Sequence, residues 1–122
     1  MRLDKMVKTT VAALEDIKAR DIVVLDVRRM TALFDKMIVA SGDSTRQNKA
    51  LAGNVQEKLK ALGATVYGVE GEDAGEWILV DLGAVIVHIM QPAIRQYYNL
   101  EELWGGHAAV PALRRAAGGV KR

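Results

Sequence analysis

No cysteine occurs among the 122 residues, which removes disulfides, thiolate metal ligands and a cysteine nucleophile together. A reducing compartment fits that composition without being required by it. Serine is nearly as scarce: Ser41 and Ser44 are the only two, and the elbow G-x-S-x-G of a serine hydrolase is missing. His88 and His107 are the only imidazoles, with no H-x₃-H, H-E-x-x-H or carboxylate pair at metal-ligand spacing. Nucleotidyl transfer needs clustered carboxylates to hold Mg²⁺, yet no Asp-x-Asp exists and Asp26 and Asp81 stand singly in apolar runs. Neither a metal nor a cofactor is expected.

Long apolar runs are also lacking. No segment reaches the ~18 apolar residues of a membrane span. The N-terminus mixes Asp4, Lys5, Lys8, Glu15 and Asp16 into its apolar residues, unlike the core of a signal peptide. A cytoplasmic location is expected. The formal net charge of +2 is too small for binding driven by phosphates alone, where many clustered Lys and Arg are needed. What is present is globular usage, 50% hydrophobic and 26% charged, in a length that suits one domain with one core.

Leu3, Met6, Val7, Val11, Leu14 and Ile17 recur at threes and fours, which predicts an amphipathic helix over 3–19. Strands follow at Asp21–Val27 and Met37–Ser41, joined by a polar connection. Leu51, Val55, Leu59 and Leu62 predict a helix over 44–62, and Gly63 suits its left-handed cap. Beyond lie a strand at Thr65–Val69, the acidic connection "EGEDAGE", and two apolar runs, "WILVDL" and "AVIVHIM", hinged at Gly83 as a hairpin.

A three-residue loop, which asks a positive φ only of Gly83, predicts Val80 opposite Ala84. On that register Trp77, Leu79, Val85, Val87 and Ile89 share one face, and Ile78, Val80, Ile86, His88 and Met90 the other. Both faces are then apolar, as in a strand pair covered on both sides. Pro92 suits a first helical position, and "AIRQYYNLEELW" gives a short helix or two ending at Trp104. The Gly-rich, basic remainder over 105–122 reads as a flexible tail. The order of elements implies an α/β fold: a single mixed five-stranded sheet flanked by helices, in a domain spanning 1–104.

The stretch "IVASGDSTRQN" (Ile38–Asn48) places a strand, a glycine and hydroxyls before a helix, an arrangement that can cradle a phosphate. It also suits a helix capped by Asp43 or Ser44, and no Walker pattern supports the nucleotide reading. His88, inside an apolar strand, is expected to be buried with a satisfied partner. Large apolar and aromatic residues at Trp77, Leu82, Pro92, Tyr97, Tyr98 and Trp104, near acids, suggest a protein-binding patch.

The run "EGEDAGEWILVDLGAVIVHIMQPAIRQYYNLEELW", with "DIVVLDV" and "DKMIVASGDSTRQNKALA" upstream, resembles the ribosomal silencing factor (Iojap-related) family over about residues 3–104. The resemblance implies a nucleotidyltransferase-like fold without catalytic acids and a ribosome-binding protein that is not an enzyme. Family members dock on the L-fourteen class protein of the large ribosomal subunit and block joining of the small subunit, damping translation when nutrients are short. Some are homodimers. A large-subunit assembly factor needs the same docking surface, and a nucleotide-handling enzyme is the third alternative.

Carried across, the family's contact surface falls on Trp77, Leu82, Pro92 and Tyr98, with Asp81 and Glu70 adding negative potential towards a basic ribosomal protein. The chain departs from the family at Ala84, where similar members place Asp, so one acid beside the hairpin tip is missing. Arg114, Arg115, Lys121 and Arg122 lie outside the resembling core and are either a solvated tail or a peripheral contact with ribosomal RNA.

Overall fold

The computed structural model describes residues 2–104 and the backbone of 109–111. Helix α1 (Leu3–Asp16) is followed by strands β1 (Arg20–Asp26) and β2 (Lys36–Ser41) and by the long helix α2 (Thr45–Leu62). Then come β3 (Gly68–Glu70), β4 (Trp77–Asp81), β5 (Val85–Met90), and the short helices α3 (Pro92–Tyr98) and α4 (Leu100–Trp104). The five expected strands form one mixed sheet, and a short β6 (Ala109–Pro111) adds a sixth, giving the order β3-β4-β5-β2-β1-β6. β6 pairs with β1, so these three residues of the predicted tail belong to the sheet. The rest of the tail, including His107, Arg114, Arg115, Lys121 and Arg122, lies outside the described residues.

β2 and β5 run parallel at the centre, and every other pairing is antiparallel. One sheet face is sealed by α1 and α2. Leu14, Ile22, Ile38, Leu51, Val55, Leu59, Ile78 and Ile89 form its largest buried side chains. The opposite face carries a second cluster, with Val23, Leu25, Val27, Met37, Val39 and Met90 beneath Leu100, Ile94 and Trp104. Among the described residues only α3 and α4 cover that face, closing it over β1, β2 and the end of β5 and leaving the rest open.

The hairpin register corrects the sequence reading. Val80 pairs with Val87, not Ala84, and Leu82 N–H donates to Val85 O at 2.9 Å. The loop therefore has two residues, Gly83 and Ala84. Of these only Gly83 takes a positive φ (85°), as a turn with glycine at its first central position requires. The faces are re-sorted accordingly: Ile78, Val80, Leu82, Val85, Val87 and Ile89 lie under the helices, and Trp77, Leu79, Asp81, Ile86, His88 and Met90 lie on the open side.

At the start of α2, Ser44 is the N-cap and accepts from Gln47 N–H at 3.0 Å, while Gln47 Oε1 accepts from Asp43 N–H at 2.7 Å. This is close to a reciprocal capping box. Gln47 Nε2 also donates to Ile17 O, which ties α2 to the end of α1. Gly63 closes the helix in the left-handed region at φ 98°, as the sequence predicts. Asn48 is fully buried and donates to Gly75 O at 2.8 Å, and its Oδ1 lies against Gly42. A Cβ on Gly42 would clash with that oxygen. Gly42→Ala is therefore expected to lower the unfolding free energy by about 1–3 kcal/mol, the usual range for overpacking, read from the urea midpoint. An unchanged midpoint would mean that Asn48 can move aside.

Candidate functional site

The open face is organised by Trp77. It sits diagonally across the β4–β5 pair from His88, within reach of a long side chain. Its indole Nε1–H donates to His88 Nδ1 at 2.9 Å. That bond fixes the neutral imidazole with its proton on Nε2. His88 is only 7% exposed, and burial pushes it down to about 4 from its ordinary value near 6.5. The imidazole thus serves as a fixed acceptor that holds the indole ring in place.

Tyr98, at the end of α3, packs on Trp77 with ring centroids 4.9 Å apart and planes tilted by 47°, and Tyr97 meets Tyr98 edge-on at 4.9 Å. Tyr97 is 81% exposed and Tyr98 50%, so neither ring is core. The helix that carries them begins with Pro92 at its first position and ends at Asn99, whose φ of 49° lets α4 start in a new direction. Arg95 secures both helices. It is buried, donates to Ser41 Oγ at 3.0 Å, and bonds Glu101 Oε2 through both Nε and Nη2 at 3.1 and 2.8 Å.

The remaining predicted contacts divide. Asp81 lies on the open face two pleats from Trp77, half-exposed, with Oδ1 accepting from Gly83 N–H at 2.8 Å. Glu70 is exposed at the end of β3, opposite Leu79 on the same face. Pro92 is exposed, at the far end of α3 from Tyr98, about 9 Å along the helix. Leu82 is the correction. It is 2% exposed and packs in the core beneath the helices, because the two-residue loop turns it inward, so its side chain offers a partner nothing.

Sequence reading passed over Leu33, Phe34, Tyr67, Leu79 and Ile86, all exposed or half-exposed. Leu33 and Phe34 did leave a signal, as bulky apolar residues inside a connection otherwise read as polar.

Among the described residues the chemical alternative has no assembled site. Ser41 is buried and its hydroxyl is engaged by Arg95, Ser44 is the cap, and Asp43 pairs with Arg20. The acidic connection packs over the first turn of α2, where a Cβ on Gly75 would meet Thr45 Cβ and Lys49 Cε, each at 3.0 Å. Asp26 and Asp81 sit on opposite faces of the sheet and cannot share a metal ion. Hydrogen bonds from Arg28 hold the Asp26 carboxyl well below the usual carboxylate range. Among the described residues no group of three His, Asp or Glu could hold a metal, and no helix is long and apolar enough to cross a membrane.

Comparison with known proteins is consistent with this arrangement. The family described as ribosomal silencing factor during starvation matches residues 1–119. The chain belongs to the ribosomal silencing factor family. The match runs beyond residue 104 into the segment first set outside the resembling core. A ribosomal silencing factor from Chromobacterium violaceum is 55% identical over 106 residues, covering 87% of each chain. A crystal structure of a protein from the same organism superposes with a TM-score of 0.85 at 53% identity, covering 92% of this chain and 93% of that one. A mouse protein named for mitochondrial assembly of the ribosomal large subunit is 35% identical over 97 residues, which cover 77% of this chain and 42% of the mouse protein. Family membership places the Trp77–Tyr98 face in a ribosome-associated protein.

The depressed His88 pKa carries a stability consequence. The unfolded chain takes up this proton near pH 6.5 and the folded chain only near 4. Between those values the unfolded state binds more protons, so stability falls as pH falls through the window, by up to about 3 kcal/mol. Urea unfolding at pH 7 and pH 5 should show the loss, and His88→Asn, which does not titrate, should flatten it. Equal slopes for the two proteins would remove His88 as the cause.

Proposed function

We propose that this ribosomal silencing factor docks through its open sheet face on the L-fourteen class protein of the large ribosomal subunit and blocks joining of the small subunit. It thereby represses translation in the cytoplasm when nutrients are short. The observation that carries this reading is the Trp77–Tyr98 ring pair, half-buried at Trp77 and exposed at Tyr98, set on the sheet in a member of a ribosome-associated family. Aromatic anchors of this kind dominate the energetics of protein interfaces. Asp81 and Glu70 on the same face supply negative potential suited to a basic partner, and Pro92 borders it. Occlusion is steric and asks for no reaction.

A second reading, a large-subunit assembly factor, is favoured by the name of the mouse relative. Both readings use the same surface and differ in outcome. Purified large subunits are incubated with the protein, small subunits are added, and the mixture is sedimented. Co-sedimentation with the large subunit together with a smaller peak of joined ribosomes supports occlusion. Binding that leaves joining intact favours the assembly role, and no binding removes both. Trp77→Ala and Tyr98→Ala, each still folded, are expected to weaken large-subunit binding by about 2 kcal/mol or more. Unchanged affinity in both variants would take the aromatic stack out of the contact surface.

A further inference from the structure

The open face also carries a hollow that the aromatic stack does not fill. It is lined by Leu33, Phe34, Tyr67, Asp81, Gly83 and Ile86, beside the tip of the β4–β5 hairpin. Leu33 is 84% and Tyr67 68% exposed, so large apolar surface is left in water around it. The walls are nonetheless well placed. Tyr67 N–H donates to Asp81 O at 2.8 Å, and the tyrosine ring rests against Gly83, where a Cβ would come within 2.8 Å of Cε2.

The Asp81 carboxylate is held at the rim by its 2.8 Å bond from Gly83 N–H. That bond uses Oδ1; among the described residues Oδ2 has neither a hydrogen bond nor an ion pair. Asp26, Asp43 and Glu101, by contrast, are each paired with an arginine of this chain. None of the residues lining the hollow is basic, and Glu70 adds a second negative charge on the same face. An oriented carboxylate above apolar walls selects its occupant. An anion would be repelled, and a purely aliphatic side chain would desolvate the carboxylate without pairing it. A long basic side chain meets both demands, with methylenes against the walls and its charged end outward.

We propose that this hollow is the anchor for one Lys or Arg side chain on the basic protein partner, its stem lying on Phe34, Tyr67 and Ile86 and its charge on Asp81 Oδ2. Tyr67 offers its ring face to the same cation. The proposal rests on the docking reading and specifies what the partner must present. Asp81 lies about 13 Å from Trp77 along β4, close enough for both anchors to share one interface of ordinary size.

The test is equilibrium binding of purified large subunits to the full-length protein at two salt concentrations. Asp81→Asn keeps an oxygen for Gly83 N–H and removes only the charge. It should weaken binding about tenfold and reduce the salt dependence, as loss of a charge-assisted bond does. Leu33→Ser, at a site already exposed, should weaken binding several-fold. Glu57→Gln, the same charge change on the exposed surface of α2 behind the sheet, should have no effect. Thermal melts confirm that all three variants fold. Asp81→Asn indistinguishable from Glu57→Gln overturns the anchor, and if Trp77→Ala still weakens binding, the docking reading survives without it. A photoreactive side chain at position 33 that crosslinks to ribosomal RNA instead of protein also overturns it. Absence of wild-type binding would sink the docking reading and the anchor together.

Discussion

The parallel pairing of β2 with β5 is the constraint on which the rest of the molecule depends. Parallel neighbours cannot be joined by a tight turn, so the chain between Ser41 and Val85 must leave the sheet and return. It does so through α2, then lays down β3 and β4 beyond β5. With α1 packed beside α2, one face is closed by two long helices. After β5 the described chain offers the other face only α3 and α4, of 7 and 5 residues. Two helices that short cannot span six strands. The uncovered surface around Trp77, Leu79 and Ile86 follows from this unequal division of chain between the two faces.

How much of this could be read in advance followed from how local each determinant is. The limits of α2 are written in Ser44 and Gly63, because caps are decided by residues within a few positions of them. Pro92 opened its helix for the same reason. The hairpin register was not legible, since Gly83 can serve loops of more than one length and the choice depends on how the two apolar strands pack. Its consequence was large: the true register moved Leu82 from the surface to the core and set Trp77 beside His88 on the open side. β6 was hidden because its pairing with β1 is a long-range contact that a small-residue segment does not announce. Leu33 and Tyr67 were missed for a related reason, as only the folded chain brings them to one hollow.

The stretch before α2 shows how a strand, a glycine and a capped helix can share the outline of a phosphate site without its chemistry. Glycine at position 42 is required because Asn48 fills the space above it. Ser44 and Gln47 satisfy the helix end, and the acidic connection leans on the first turn. On the opposite side, the buried imidazole of His88 is neutral and committed to the indole. The polar groups of both regions are spent on holding shape. On the docking reading proposed above, recognition is left to ring faces, aliphatic surface and the carboxylates of the open face.

The two borders of the sheet have a consequence of their own. Each is a strand of three residues, β3 on one side and β6 on the other. Gly68 in β3 has no side chain to pack, and Pro111 in β6 has no amide hydrogen to offer. Among the described residues neither border offers a long ladder for a neighbouring strand to extend, which is how edge strands are commonly blunted. Among the described residues, the apolar surface of the sheet is thus presented by a face and not by its rims.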